Sequence, residues 1–136
     1  MAKHSVLFIP GSYVVLSVHQ PLIDAVSAAG YEINGIYLPS IGPCSSEGYP
    51  SPAPSMYDDV AAIADEAEQL ADQGTDVVLT GHSYAGVPMS QCTKGLSRVE
   101  RQQQGKPGGT VPPWLLCLAR PSTGTISQLA AKPLFK

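Results

Sequence analysis

One stretch constrains this chain more than any other. Residues 76–86 read DVVLTGHSYAG. Val77, Val78 and Leu79 form a short apolar run of the kind that makes a buried strand. Gly81, Ser83 and Ala85 then follow the pattern G-x-S-x-G with Ala in the last place, and Gly86 comes next. A serine on a strained strand-to-helix turn presents its hydroxyl beyond the sheet edge. Side chains two residues to either side would collide in that turn, so positions 81 and 85 must be small. Residues 87–104 carry Cys92, Leu96 and Val99 at i, i+4 and i+7, and Pro88 suits a first turn, so a helix is expected there. The start of that helix would favour negative charge developing beside Ser83, and the Tyr84 N–H would be one oxyanion donor. The bland alternative is a plain strand-to-helix turn built from small residues.

The rest of the chain supplies a matching scaffold. Residues 6–10 (VLFIP) read as a buried strand closed by Pro10-Gly11. Residues 21–29 place Leu22, Ile23, Val26 and Ala29 at helical spacing, with Pro21 in the first turn and Gly30 just past the end. Residues 32–38 (EINGIYL) read as a second strand. Residues 39–54 are rich in Pro, Gly and Ser and form a loop. Ser55 and Asp58 fit a helix cap. The helix that follows has an apolar stripe of Val60, Ala61, Ile63, Ala64, Ala67, Leu70 and Ala71 and ends at Gly74. Asp58 and Asp59 stabilise its start electrostatically and receive no catalytic role. Residues 76–80 are the third strand. Strands alternating with helices imply a parallel sheet with right-handed crossovers.

At 136 residues with 43% hydrophobic residues, the chain suits one domain. Its 8 Lys+Arg against 11 Asp+Glu provide no basic face for nucleic acid. No apolar run approaches a membrane span, and the apolar start is too short for a signal-peptide core. Cys44, Cys92 and Cys117 form no C-x-x-C pair. No metal site, no disulfide framework and no cofactor is expected. A G-x-G-x-x-G is lacking, and Val87-Pro88 stands where a phosphate loop needs Lys-Ser/Thr. The expected setting is cytoplasmic, with reduced thiols.

The stretches VLFIPGSY, QPLIDAVSAAGYEINGIYLPSIG, YDDVAAIADEAEQLADQGTDVVLTGHSYAGVP and KGLSRVERQQQGKPGGTV resemble the N-terminal half of an α/β-hydrolase. They are especially similar to a fungal group with a [V/I]PG[S/A] start and an HSYGG-type elbow. The resemblance covers residues 6–111. It implies a partial α/β-hydrolase fold: three αβα layers around a short parallel sheet of three to four strands. It also implies Ser83 as nucleophile and the N–H groups of Tyr84 and Ser12 as the oxyanion hole. Gly11, Gly81, Ala85 and Gly86 are then the small residues of the loop and elbow. Such enzymes open esters, amides, lactones or thioesters through an acyl-enzyme. A small-molecule ester, lactone or thioester, such as one from fungal secondary metabolism, is the expected substrate.

The sequence departs from that pattern after the elbow. The family order is Ser, then Asp/Glu, then His. Here His4, His19 and His82 all precede or adjoin Ser83, and Glu100 is the one carboxylate beyond it. His82 points away from its neighbour Ser83 and is expected to be structural; His19 reads as a surface or capping residue and His4 as solvated. Glu100 lies too far along the helix for a triad acid. Ser97, Arg98, Glu100 and Arg101 read as a solvated face. Residues 102–136 hold four bases, no acid and five prolines. The chain therefore divides into residues 1–111, the hydrolase-like part, and residues 112–136, a divergent tail. Residues 114–119 (WLLCLA) could be a further strand in disguise. Loss of every acid instead suggests a truncated or frame-shifted product, whose exposed sheet edge would favour self-association. The alternative to an acyl hydrolase is thus an inactive relative that serves in binding, or a gene remnant.

Overall fold

The computed structural model describes residues 3–42 and 52–116. Four parallel strands form one sheet: β1 (Lys3–Ile9), β2 (Glu32–Gly35), β3 (Thr75–His82) and β4 (Gly109–Leu116), in the order β2-β1-β3-β4. Val6 lies opposite Ile33 on one side and Val78 on the other. The helices are α1 (Gln20–Ala28), α2 (Met56–Asp72), α3 (Gly86–Cys92) and α4 (Arg98–Gln103). This is the α/β class that the alternation of patterns implies.

The strand order contains a reversal. The first crossover runs from β1 to β2 on one side, and the next returns past β1 to β3. Right-handed connections then put α1 on one face and α2 with α3 on the other. Between β1 and β3 the winding changes direction, and ligand sites of open α/β sheets lie there, beyond the carboxyl ends of the strands. β1 is apolar on both faces for this reason. Leu7 and Ile9 join a core with Ile63, Ala67, Ala71, Val77, Leu79, Ala85 and Met89. Phe8 faces the other way, against His19.

The long helix expected over residues 87–104 is two helices. α3 stops at Cys92, Gly95 takes φ +78°, and Ser97 caps α4 by accepting from the Glu100 N–H. Cys92 and Leu96 are buried, but Val99 is 65% exposed, so the i+7 member of the apolar series falls on the wrong face. The solvated charged face expected on the second helix holds only in part: the Arg98 side chain is 55% exposed, whereas Arg101 is not. Arg101 is fully buried; it donates to Asp72, to Glu68 and to the Pro107 carbonyl. Arg98 donates to the buried Asp76 at 2.6 Å.

β4 runs through residue 112, where the divergent tail begins in the sequence reading. Its register against β3 shifts between Val78 and Thr80. Val78 pairs with Val111 and Thr80 with Trp114, so β4 carries one extra residue over the Pro112-Pro113 step. Prolines lack the N–H a regular ladder needs, and bulges are where sheets accept them. Residues 43–51 of the expected loop and residues 117–136 of the tail lie outside the described residues, as do Cys44 and Cys117.

Arg101→Ala removes charge-assisted hydrogen bonds and leaves a cavity under α4. Its carboxylate partners stay partly solvated, which limits the loss to about 1.5–3 kcal/mol. Urea unfolding of the variant at unchanged m-value measures it.

Candidate active site

β1 and β3 end side by side, with Ile9 opposite Gly81. The chain leaves β1 through Pro10 and Gly11 and leaves β3 through Ser83, so the two turns meet. Ser83 is exposed and holds φ +54°. A left-handed backbone is uncommon for any residue but glycine and costs about 1–2 kcal/mol. At the end of a buried strand such strain persists only when its surroundings fix it.

The surroundings below the turn are full. A Cβ at Gly81 would lie 2.5 Å from the Met89 sulfur and 2.6 Å from the Ala85 Cβ. Ala85 itself has no exposed surface. A short 3-10 turn over Ser83–Ala85 leads into α3 at Gly86. Positions 81 and 85 are therefore small for the steric reason that the motif demands.

The loop after β1 seats on the elbow. Gly11 is buried, and a Cβ there would come within 2.7 Å of His82 Nδ1 and 3.1 Å of the His82 carbonyl oxygen. Ser12 and Tyr13 turn outward, both exposed, with Tyr13 at φ +59°. The Val14 N–H donates to the Gly11 carbonyl and closes the loop.

The histidines take up positions that separate them from Ser83 chemistry. His82 directs its imidazole to Gly11 and to His19, whose ring centroid is 5.9 Å away. His19 is neither a surface residue nor a cap. It is half-buried, makes no side-chain cap bond, and packs 4.9 Å from Phe8. Burial, and then the proximity of His82, lower its pKa. His19 Nε2 and His82 Nδ1 are both buried without a hydrogen-bond partner among the described residues. His4 lies at the far end of β1, where Nε2 is 3.8 Å from Asp76. Glu100 folds back on its own helix start, accepting from Gly95 and Ser97. The Ser97 hydroxyl and these amides hold its carboxyl below the ordinary carboxylate range.

Tyr84 is half-buried, and its hydroxyl donates to Asp59 at 2.8 Å. Asp59 also accepts from the Ser40 N–H at 2.9 Å and the Ser40 hydroxyl at 2.6 Å. Asp58 caps the start of α2, as its spacing from Ser55 implies, but Asp59 has no exposed surface and faces the elbow. Burial and the bond to Asp59 push the Tyr84 phenol up to about 12. A metal-ligating cluster of three or more His, Cys, Asp or Glu is lacking among the described residues. An open groove lined by Thr93, Arg98 and Val111 lies toward the opposite end of the sheet from Ser83.

Two outcomes follow from this geometry. Ser83→Gly should be more stable than Ser83→Ala by about 1 kcal/mol, because only glycine relieves the left-handed strain; comparing their urea midpoints measures it. An alkaline difference spectrum should show one tyrosine titrating near 12 that disappears in Tyr84→Phe. The folded phenol keeps its proton more tightly than the unfolded one at 10.0, so this residue's contribution to stability is lost as pH rises from 10 toward 12.

No family model matches the chain. Two fungal proteins do resemble it. An α/β hydrolase of Aspergillus novofumigatus, nvfD, is 34% identical over 98 residues, covering 72% of this chain and 37% of that protein. A probable hydrolase of a Phoma species, R7, is 29% identical over 105 residues, covering 73% of this chain and 41% of its own length. The matched parts thus amount to about two-fifths of these curated relatives. Among the described residues no helix is long and apolar enough to cross a membrane. The parallel sheet and these two similarities together relate the chain to the α/β hydrolases.

Proposed function

We propose that the chain carries the nucleophile half of a serine-dependent acyl hydrolase of the α/β-hydrolase family. The observation that supports this most is the backbone of Ser83: exposed, left-handed, and set on a turn packed too tightly for any side chain at Gly81. In this reading the Ser83 oxygen attacks the substrate carbonyl carbon as its proton passes to a base. The carbonyl oxygen takes up negative charge between the N–H groups of Ser12 and Tyr84. Collapse expels the alcohol or thiol with that proton and leaves an acyl-enzyme, which water then opens.

The substrate class can be narrowed. Residues 10–23, 33–46 and 77–93 contain no Lys, Arg, Asp or Glu. These segments include the turns after β1, β2 and β3 that converge on Ser83. These segments supply no cation for phosphate groups, and the carboxylate beside them, Asp59, is buried and taken up by Ser40 and Tyr84. An uncharged ester or lactone suits a site edged by them better than a phosphate-bearing thioester. A role in fungal secondary metabolism accords with the source of the two relatives.

A second reading is supported by one specific observation. Among the described residues no histidine is hydrogen-bonded to Ser83: His4 is at the far strand end, and the His19 and His82 rings lie 5.9 Å apart beside the loop after β1. The base and its acid are then contributed from outside residues 3–116, or the elbow serves as a binding scaffold without turnover. The outer edge of β4, which has no strand neighbour in the described sheet, is the natural surface for self-association.

A fluorophosphonate probe separates these readings. Labelling of the folded chain that disappears in Ser83→Ala is expected for an activated serine. Folded protein that stays unlabelled at high probe concentration overturns the enzymatic reading and leaves the scaffold.

A further inference from the structure

Among the described residues, Asp59 is a fully buried carboxylate at the carboxyl end of the sheet, and its hydrogen-bond donors are all neutral. Its neighbours on α2 explain where it points. Asp59, Ile63, Ala67 and Ala71 succeed one another at intervals of four and are the buried residues of that helix. Asp59 thus occupies the first position of an apolar stripe, where an ordinary helix-start carboxylate would face water. Burying such a group is unfavourable unless hydrogen bonds replace its hydration. Here three donors do so, and they come from two separate places: Ser40 in the turn after β2, and Tyr84 immediately after Ser83.

We infer that Asp59 is a positioning residue for the oxyanion hole: by holding the Tyr84 hydroxyl it fixes the Tyr84 main-chain N–H beside Ser83, and by holding Ser40 it draws the turn after β2 to the same point. The inference rests on the reading of Ser83 as a nucleophile and names what steadies its neighbour.

The elbow is strained at Ser83, and a strained turn relaxes unless both of its sides are held. Ala85, Gly81 and Met89 hold the side beneath it. At Tyr84 the ring packs against the hydrophobic core, and the hydroxyl reaches the start of α2 through the bond to Asp59, twenty-five residues earlier in the chain. Rotation of the peptide between Ser83 and Tyr84 would swing the Tyr84 ring and break that bond inside a dry environment. The bond strengthens as solvent is excluded. The phenol keeps its proton far above neutral pH, so the donor is always present at working pH. An oxyanion donor contributes only when it is already aimed at the developing charge, and an anchored side chain supplies that fixity.

The test uses the full chain labelled with 15N, as wild type, Tyr84→Phe, Asp59→Asn and Asp59→Ala. One readout is the backbone order parameter of the Tyr84 amide; the other is the second-order rate of fluorophosphonate labelling. The wild-type amide should be rigid, near 0.85, and should fall toward about 0.6 in Tyr84→Phe and Asp59→Ala. Amides of Leu7 and Leu79 should keep their values, which a general loss of structure would not allow. Labelling should slow by about tenfold or more in both variants, since small misplacements of a catalytic group cost that much. Asp59→Asn keeps one acceptor oxygen and should recover part of both effects. Should Asp59→Ala fail to fold, Tyr84→Phe, which removes one oxygen atom, decides alone. An unchanged Tyr84 order parameter in Tyr84→Phe overturns the proposal. A wild-type chain that never labels overturns the nucleophile reading alone, because the order parameters still report whether Asp59 holds Tyr84.

Discussion

At the carboxyl end of β3 the chain has to reverse from strand to helix over a packed core, and the space available sets everything around it. A side chain at Gly81 would strike both Met89 and Ala85. The turn can therefore be tight only with glycine at 81 and alanine at 85, and a turn that tight forces Ser83 into the left-handed region. The same closeness requires the loop after β1 to lie against His82, which leaves no room for a side chain at Gly11. Three small residues, at the end of β3 and in the turns after β1 and β3, are thus consequences of one steric limit. Because the winding of the sheet reverses between β1 and β3, this limit falls where the fold opens a crevice.

Most of the fold was legible because its signals are local. VLFI and DVVLT are runs that are buried on both faces, and the four-residue stripe of α2 is long enough to be unambiguous. The elbow was legible for the same reason, since its steric demand is written in three consecutive alternate positions. The errors arise where a local signal had two meanings. Cys92, Leu96 and Val99 have helical spacing, yet Gly95 and the Ser97–Glu100 cap end one helix and begin another within that span. A cap motif of Ser followed by an acid three residues later is present at Ser97, as at Ser55, and outweighs the periodicity. Arg101 reads as solvated because arginine usually is, and only the fold buries it against Asp72 and Glu68; Arg98 stays exposed while it reaches Asp76.

Asp59 shows the limit in the opposite sense. Two acids at a helix start are ordinarily both solvated, and Asp58 obeys that rule. The signal that distinguishes them was in the phase: Asp59 precedes Ile63 by four and Ala67 by eight, so it belongs to the buried stripe. Its partners were invisible in sequence because Ser40 and Tyr84 are nineteen and twenty-five residues away. The prolines of β4 posed a similar problem. Pro112-Pro113 argues locally against a strand, and the register shift against β3 is what admits it.

Charge is distributed along the strands in a way that fits this division. Among the described residues the ion pairs lie toward the amino ends: Lys3 with Glu32, Asp76 with His4 and Arg98, Arg101 with Glu68 and Asp72, and Lys106 with Glu68. The exposed ones contribute little, but the buried Arg101 ties α2 to the turn before β4. At the carboxyl ends, by contrast, stand a strained serine, exposed Tyr13, Tyr37 and Tyr57, and one buried carboxylate bonded to neutral donors. A low-charge rim strengthens any oriented dipole within it, because no mobile counter-charge competes. Fastening the domain ionically at one end therefore leaves the other free to use main-chain N–H groups, and among the described residues the Asp59–Tyr84 bond is a polar link there placed to hold one of them.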